Sequence, residues 1–131
     1  GSKVQTKVFH GTVTAYGTTE NPYGLDIAAM KGTPVLSPYP GTVESVVKGN
    51  KGYGNNVTIK FNDGKRMRIG HLENDSIRVS NGQKINDQAC IGGVGNTVTV
   101  IGPTGVHADI TVWPSGQNTP YTACQFYEFL S

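Results

Sequence analysis

The sequence predicts an all-β domain in which two antiparallel sheets pack face to face as a sandwich, on three observations. Short runs of alternating apolar and polar residues recur along the chain. Turn signals rich in glycine separate them, with 18 glycines in 131 residues. No segment except the last carries a sustained apolar period of 3.6 residues.

The elements follow in order. Thr42–Val47 and Val57–Phe61 alternate as half-buried strands do. Between them "KGNKGYGNN" is dense in residues that tolerate positive φ, which predicts a long hairpin loop. Asn62-Asp63-Gly64 is a tight-turn signal that joins Val57–Phe61 to a strand over Arg66–Gly70. Further strands are expected at Ile77–Val79, Ala89–Gly93, Thr97–Ile101 and Val106–Trp113, with "SNGQKI" over 80–85 as another turn. The one helical expectation is a short C-terminal helix over Ala123–Leu130, with Thr119 as its cap and Pro120 in its first turn.

Length and composition point to a single domain over residues 3–131, with Gly1-Ser2 read as a cloning scar. Val, Ile, Leu and aromatic residues recur in clusters, so the chain reads as globular rather than disordered. No apolar run approaches the ~20 residues needed to span a bilayer, so no transmembrane segment is expected. The net charge is +2 without a Lys/Arg stripe interleaved with aromatics, which argues against a nucleic-acid partner. Cys90 and Cys124 form no C-x-x-C pair; two buried thiols is the plainer expectation, and a disulfide between them is the other.

The candidates for chemistry are few. The chain has 3 histidines, His10, His71 and His107. His71 lies at a strand end in "IGHLE", and His107 stands two residues before Asp109 in "GPTGVHADI". Asp26, in "YGLDIAA", is read as a loop residue. His–Asp contacts among His71, His107, Asp26 and Asp109 would satisfy their polar groups without a metal.

Ordered motifs connect them. Gly24, Asp26, Gly32-Thr33-Pro34-Val35, Gly52-Tyr53-Gly54-Asn55, Asp63-Gly64, His71-Leu72, Gly82-Gln83, Ile91-Gly92, Gly95 and Thr104-Gly105 occur in sequence. In that order they resemble the lysostaphin/LytM-type zinc endopeptidases of family M23, over nearly the whole chain. The resemblance implies the M23-type sandwich, with "GTVTAYG" as its first strand and loop, and a groove that receives a cell-wall peptide. It implies that zinc is held at H-x-x-x-D and at the second histidine of H-x-H. The imidazoles of Tyr-x-His-Leu and of the first H-x-H position then flank the reacting water.

Carried over residue by residue, His71 and His107 occupy the two catalytic positions. Asp26 and Asp109 occupy two metal-ligand positions, Asp109 in place of a histidine. The third ligand position is Pro22, which has no lone pair to give, and Ile69 replaces the tyrosine. His10 is the one spare histidine that could substitute as a ligand, and the two carboxylates could instead take a hard ion such as Ca²⁺ or Mg²⁺. Tyr16, Tyr23 and Tyr53 are the candidate substrate-binding aromatics on the groove walls.

The expected function is therefore a degenerate, non-catalytic domain without a cofactor. Its partner would be a peptidoglycan peptide or a protein in a larger assembly, such as a regulator of wall hydrolysis or a phage tail. That places it outside the cytoplasm, at the cell surface or on a virion. The alternative is an active zinc-dependent peptidoglycan endopeptidase with a rearranged site built on Asp26, Asp109 and one histidine. A weaker reading, from "PVLSPYPGTVESVV", is the small sandwich of biotinyl and lipoyl carriers, which lacks a displayed lysine and leaves His71 and His107 unexplained.

Overall fold

In the computed structural model, residues 3–4, 11–15, 25–28, 31–49, 52–95 and 107–122 are described, with 3–4, 11–15, 25–28 and 107–108 as backbone alone. Ten strands appear among them: β1 (Lys3–Val4), β2 (Gly11–Ala15), β3 (Leu25–Ala28), β4 (Pro34–Leu36), β5 (Gly41–Val47), β6 (Asn55–Phe61), β7 (Arg66–Leu72), β8 (Lys84–Ile85), β9 (Cys90–Gly93) and β10 (His107–Trp113). Eight of them form one sheet in the order β1-β2-β3-β10-β7-β6-β5-β8, and β4 pairs with β9 in a second sheet. Every pairing is antiparallel. The chain is the two-sheet, all-β domain that the alternation predicts.

Alternation places the core. Val57, Ile59 and Phe61 on β6, Met67 and Ile69 on β7, and Ile110 and Val112 on β10 point to one face of the large sheet. They join Val35 of β4, Ile91 of β9 and the side chains of Leu72, Val79, Ile85 and Val94 in one apolar cluster. Tyr39 stacks edge-on against Phe61 at 5.6 Å between ring centres and closes one end of that cluster. The opposite face of the large sheet carries Thr58, Lys60, Arg66, Arg68, Asp109 and Trp113, all partly or fully exposed.

The predicted turn at Asn62-Asp63-Gly64 is present. Gly64 has φ 94°, and its N–H donates to the carbonyl of Phe61 at 2.9 Å. The Asp63 carboxylate accepts from the Lys65 backbone N–H at 2.9 Å and from its ammonium at 2.7 Å.

Four expectations need correction. Asp26 is not in a loop but in β3, held between β2 and β10. Ile77–Val79 is not a strand: its alternating burial comes from lying extended across the core, tied by one backbone bond from Arg78 N–H to Ile91 C=O at 2.9 Å. The loop after β5 is shorter than its composition suggests, because Asn55 and Asn56 already pair in β6. Cys90 is an exposed free thiol rather than a buried one, since it stands on β9 at the rim of the small sheet. Thr97–Ile101, Cys124 and the helix expected over Ala123–Leu130 fall outside the described residues.

Candidate functional site

β10 is the axis of the site. Ile110 and Val112 are fully buried, so alternation turns Asp109, Thr111 and Trp113 to the other face of the sheet. In register, Asp109 stands between Asp26 of β3 and Gly70 of β7, and His107 stands opposite Ala28. Two carboxylate-bearing residues therefore oppose one another across the β3–β10 pair, an arrangement that like charges disfavour.

β7 delivers His71 through a bulge. Between the β6 partners Asn55 and Val57, one residue apart from adjacent, β7 advances from Leu72 to Ile69 and so carries one residue too many. His71 absorbs the excess with φ 57°, a left-handed conformation uncommon outside glycine. Its N–H donates to the carbonyl of Tyr53 at 2.7 Å in place of a ladder bond. The same loop is fastened by Asn55, whose side-chain amide donates to Leu72 C=O at 3.0 Å and to Asn74 Oδ1 at 2.9 Å. Asn55 Oδ1 accepts from Gly49 N–H at 3.0 Å, so one buried amide ties both ends of the loop to β7. Gly52 and Gly54, at φ 60° and 62°, permit the tight path between them.

The result is that His71 reaches Asp109. His71 Nε2 lies 3.9 Å from Asp109 Oδ2, too far for a direct hydrogen bond but within ion-pair distance when the imidazole is protonated. Only 11% of the His71 side chain and 19% of the Asp109 side chain are exposed, so both point into a sheltered place while remaining reachable. Such a pair can hold a ligand between an imidazole and a carboxylate, donating at one side and accepting at the other.

Tyr53 stands directly over Gly70, where a Cβ would lie 3.2 Å from both the Tyr53 Cβ and its carbonyl oxygen. One face of the Tyr53 ring is already covered: the Arg68 guanidinium carbon sits 3.6 Å from the ring centre. Arg68 and Arg66 in turn lie 5.1 Å and 5.5 Å from the centre of the Trp113 ring. Sequence reasoning passed over these arginines, although the alternation in "RMRI" is a signal that sends both to the open face. A separate cavity of about 420 Å³ is lined, among the described residues, by Lys48, Asn55, Glu73, Asn74, Asp75 and Ile77, none of them a predicted site residue.

Of those predicted residues, the fold brings His71 and Asp109 together by side-chain geometry, Tyr53 by its backbone bond to His71, and Asp26 and His107 by register. Pro22, His10, Tyr16 and Tyr23 fall outside the described residues.

Comparison with known proteins gives this arrangement a context. The model of peptidase family M23 matches residues 20–120. A lipoprotein NlpD/LppB homolog of Pseudomonas aeruginosa is 37% identical over 82 residues, which is 63% of this chain and 25% of that protein. The chain thus spans about a quarter of the length of that curated relative. Among solved structures, a zinc-containing peptidase from Vibrio cholerae superposes with a TM-score of 0.71 at 27% identity, over 86% of this chain and 36% of the other. A point mutant of the catalytic domain of EnpA, a prophage-encoded M23 protein from Enterococcus faecalis, gives 0.68 at 29% identity, over 87% of this chain and 89% of that one.

Proposed function

Because the chain belongs to peptidase family M23, we propose that it acts in the cell envelope as a binding domain that has kept the peptidase cleft and lost its catalysis. It holds a cell-wall peptide or a protein partner on the open face of the large sheet, outside the cytoplasm, without a resident zinc ion. Residues 3–131 act as one such domain. The envelope location draws support from the lipoprotein relative.

The observation that carries this reading is the donor set. A catalytic zinc takes three protein ligands, commonly with imidazole among them, and keeps one position open. Here Asp26 and Asp109 oppose each other in register and offer only carboxylate oxygen. Pro22 stands where the family pattern has its first histidine and offers no donor atom. His71 belongs to the catalytic position, not to the ligand set, and it is aimed by the bulge at Asp109. Two oxygens without an imidazole do not fit catalytic zinc. The catalytic-type pair His71 and His107 then serves as hydrogen-bonding groups for a bound ligand.

The test pairs activity with repair. Purified peptidoglycan is incubated with the protein in the presence of zinc, and newly released amino groups are counted. Co-sedimentation with the insoluble wall is measured in parallel. The expected result is sedimentation without release of amines. The double variant Pro22→His with Asp109→His is expected to take up zinc, because it restores both imidazole donors of the family pattern, and uptake would show that the scaffold is intact. Amine release by the unaltered protein, abolished by a chelator, would overturn the reading.

A further inference from the structure

We propose that the open face of the large sheet binds a short, charge-polarised peptide, with its carboxylates on Lys60, Arg66 and Arg68 and its amino end at Asp109. The inference rests on the cleft reading above and specifies what that cleft selects.

The register lays the charges out in rows. Lys84, Thr42, Lys60, Arg66 and Trp113 follow one another across β8, β5, β6, β7 and β10. The adjacent row is Ser45, Thr58, Arg68 and Thr111, and the one after that brings Gly70 and Asp109. Lys60 and Arg66 are direct cross-strand neighbours of like charge, with Arg68 two residues along the same strand. Such a cluster is destabilising unless an anion lies against it.

Among the described residues, no carboxylate comes within ion-pairing distance of Lys60, Arg66 or Arg68; the ion pairs are Lys31–Glu73, Lys65–Asp63 and His71–Asp109. Glu44, the exposed residue that the β5 bulge adds nearby, is not paired with them either. Arg66 donates to the Gln117 carbonyl at 3.4 Å, a long contact. Arg68 makes no hydrogen bond to a described residue, yet its guanidinium is fixed between the Tyr53 and Trp113 rings. Stacking of this kind orders the cation while leaving its N–H edge available for a carboxylate.

The polarity of the face selects the occupant. A uniform polyanion laid along β10 would gain at Arg66 and Arg68 and then meet Asp109. A peptide has opposite charges at its two ends and can satisfy both. From Asp109 to Trp113 is four residues of strand, roughly 13 Å, which suits an extended peptide of about four residues. The partly exposed Thr58 hydroxyl, in the row between the charges, supplies a partner for its backbone.

The experiment is an NMR titration of the whole protein, following the Arg68 Nε–H and Trp113 indole signals. The probe is a tetrapeptide of two alanines followed by two glutamates, with free ends. Its counterpart has two glutamines and an amidated C-terminus. The expected result is saturable binding of the acidic peptide, weakened roughly tenfold by amidation and by added salt. Arg68→Gln and Arg66→Gln are expected to weaken the acidic peptide by a similar factor and the amide scarcely at all. Equal binding of the two peptides would overturn the carboxylate selection while leaving the cleft reading in place. Binding of an oligomeric glycerol phosphate as tightly as the peptide would overturn it in favour of a general anion surface. If neither peptide binds but the protein sediments with peptidoglycan, the inference falls alone. If sedimentation also fails, the cleft reading falls with it.

Discussion

Replacing Gly70 with alanine puts one methyl group into the most confined part of the site. Gly70 pairs with Asp109, precedes His71 and lies under Tyr53. The new Cβ would stand 3.2 Å from the Tyr53 Cβ and 3.2 Å from its carbonyl oxygen. Rotation of the Tyr53 side chain does not move its Cβ, and the carbonyl is held in place because it accepts the His71 N–H at 2.7 Å. Overpacking of this kind costs about 1–3 kcal/mol. Gly70 does not have positive φ, so alanine also restricts the unfolded chain and returns about 0.4–1 kcal/mol. A net loss of about 1–2 kcal/mol corresponds, for a chain of this size, to a fall in Tm of roughly 3–10 °C. Thermal unfolding followed by circular dichroism measures it. In the same variant the Arg68 Nε–H resonance should move, because Tyr53 carries Arg68 with it. An unchanged or raised Tm would refute the claim that Tyr53 is clamped over Gly70.

Three other outcomes follow from the same geometry. Ile69→Ala removes a fully buried side chain from the centre of the core, so stability should fall by about 2–5 kcal/mol and the urea midpoint should drop accordingly. The Asp63 carboxyl is held below its ordinary value of 3.8, chiefly by the hydrogen bond from the Lys65 ammonium. Its contribution to stability is therefore complete above that unfolded value and is lost as pH falls through the lower folded one; both groups are exposed, so it amounts to a few tenths of a kcal/mol. An NMR titration should place Asp63 below 3.8 in the unaltered protein and nearer 3.8 in Lys65→Gln. Asn55→Ala should free the loop over 48–54 from β7, cost about 1–3 kcal/mol and broaden the His71 signals.

The legible part of the fold is its local part. Val57–Phe61, Asn62-Asp63-Gly64 and Arg66–Gly70 form a hairpin whose alternation and turn chemistry lie within fifteen residues of chain, and the structure keeps it. β3 is different. Leu25–Ala28 is too short for its Leu-Asp-Ile alternation to stand out, and it is a strand because β2 pairs with one side of it and β10, from the far end of the chain, with the other. Ile77–Val79 shows the converse, alternation without a ladder. The site follows the same division. Which residue types stand at positions 22, 26, 71, 107 and 109 could be read directly, and with them the resemblance to the family. The opposition of Asp26 and Asp109 is a matter of cross-strand register, which no local pattern encodes. The bulge at His71 carries little signal either: histidine is enriched among non-glycine residues at positive φ, but few histidines adopt it. The stack of Arg66 and Arg68 with Trp113 and Tyr53 was half visible: the arginines alternate in sequence, and their aromatic partners arrive from other strands and loops.

The central claim is that this cleft has kept its shape and lost its metal. The most direct test is the zinc content of the unaltered protein, measured by mass spectrometry after dialysis against a slight excess of zinc and then against metal-free buffer. Two opposed carboxylates and a proline predict that no stoichiometric zinc is retained. One tightly held zinc per chain would contradict the account and return the site to catalysis.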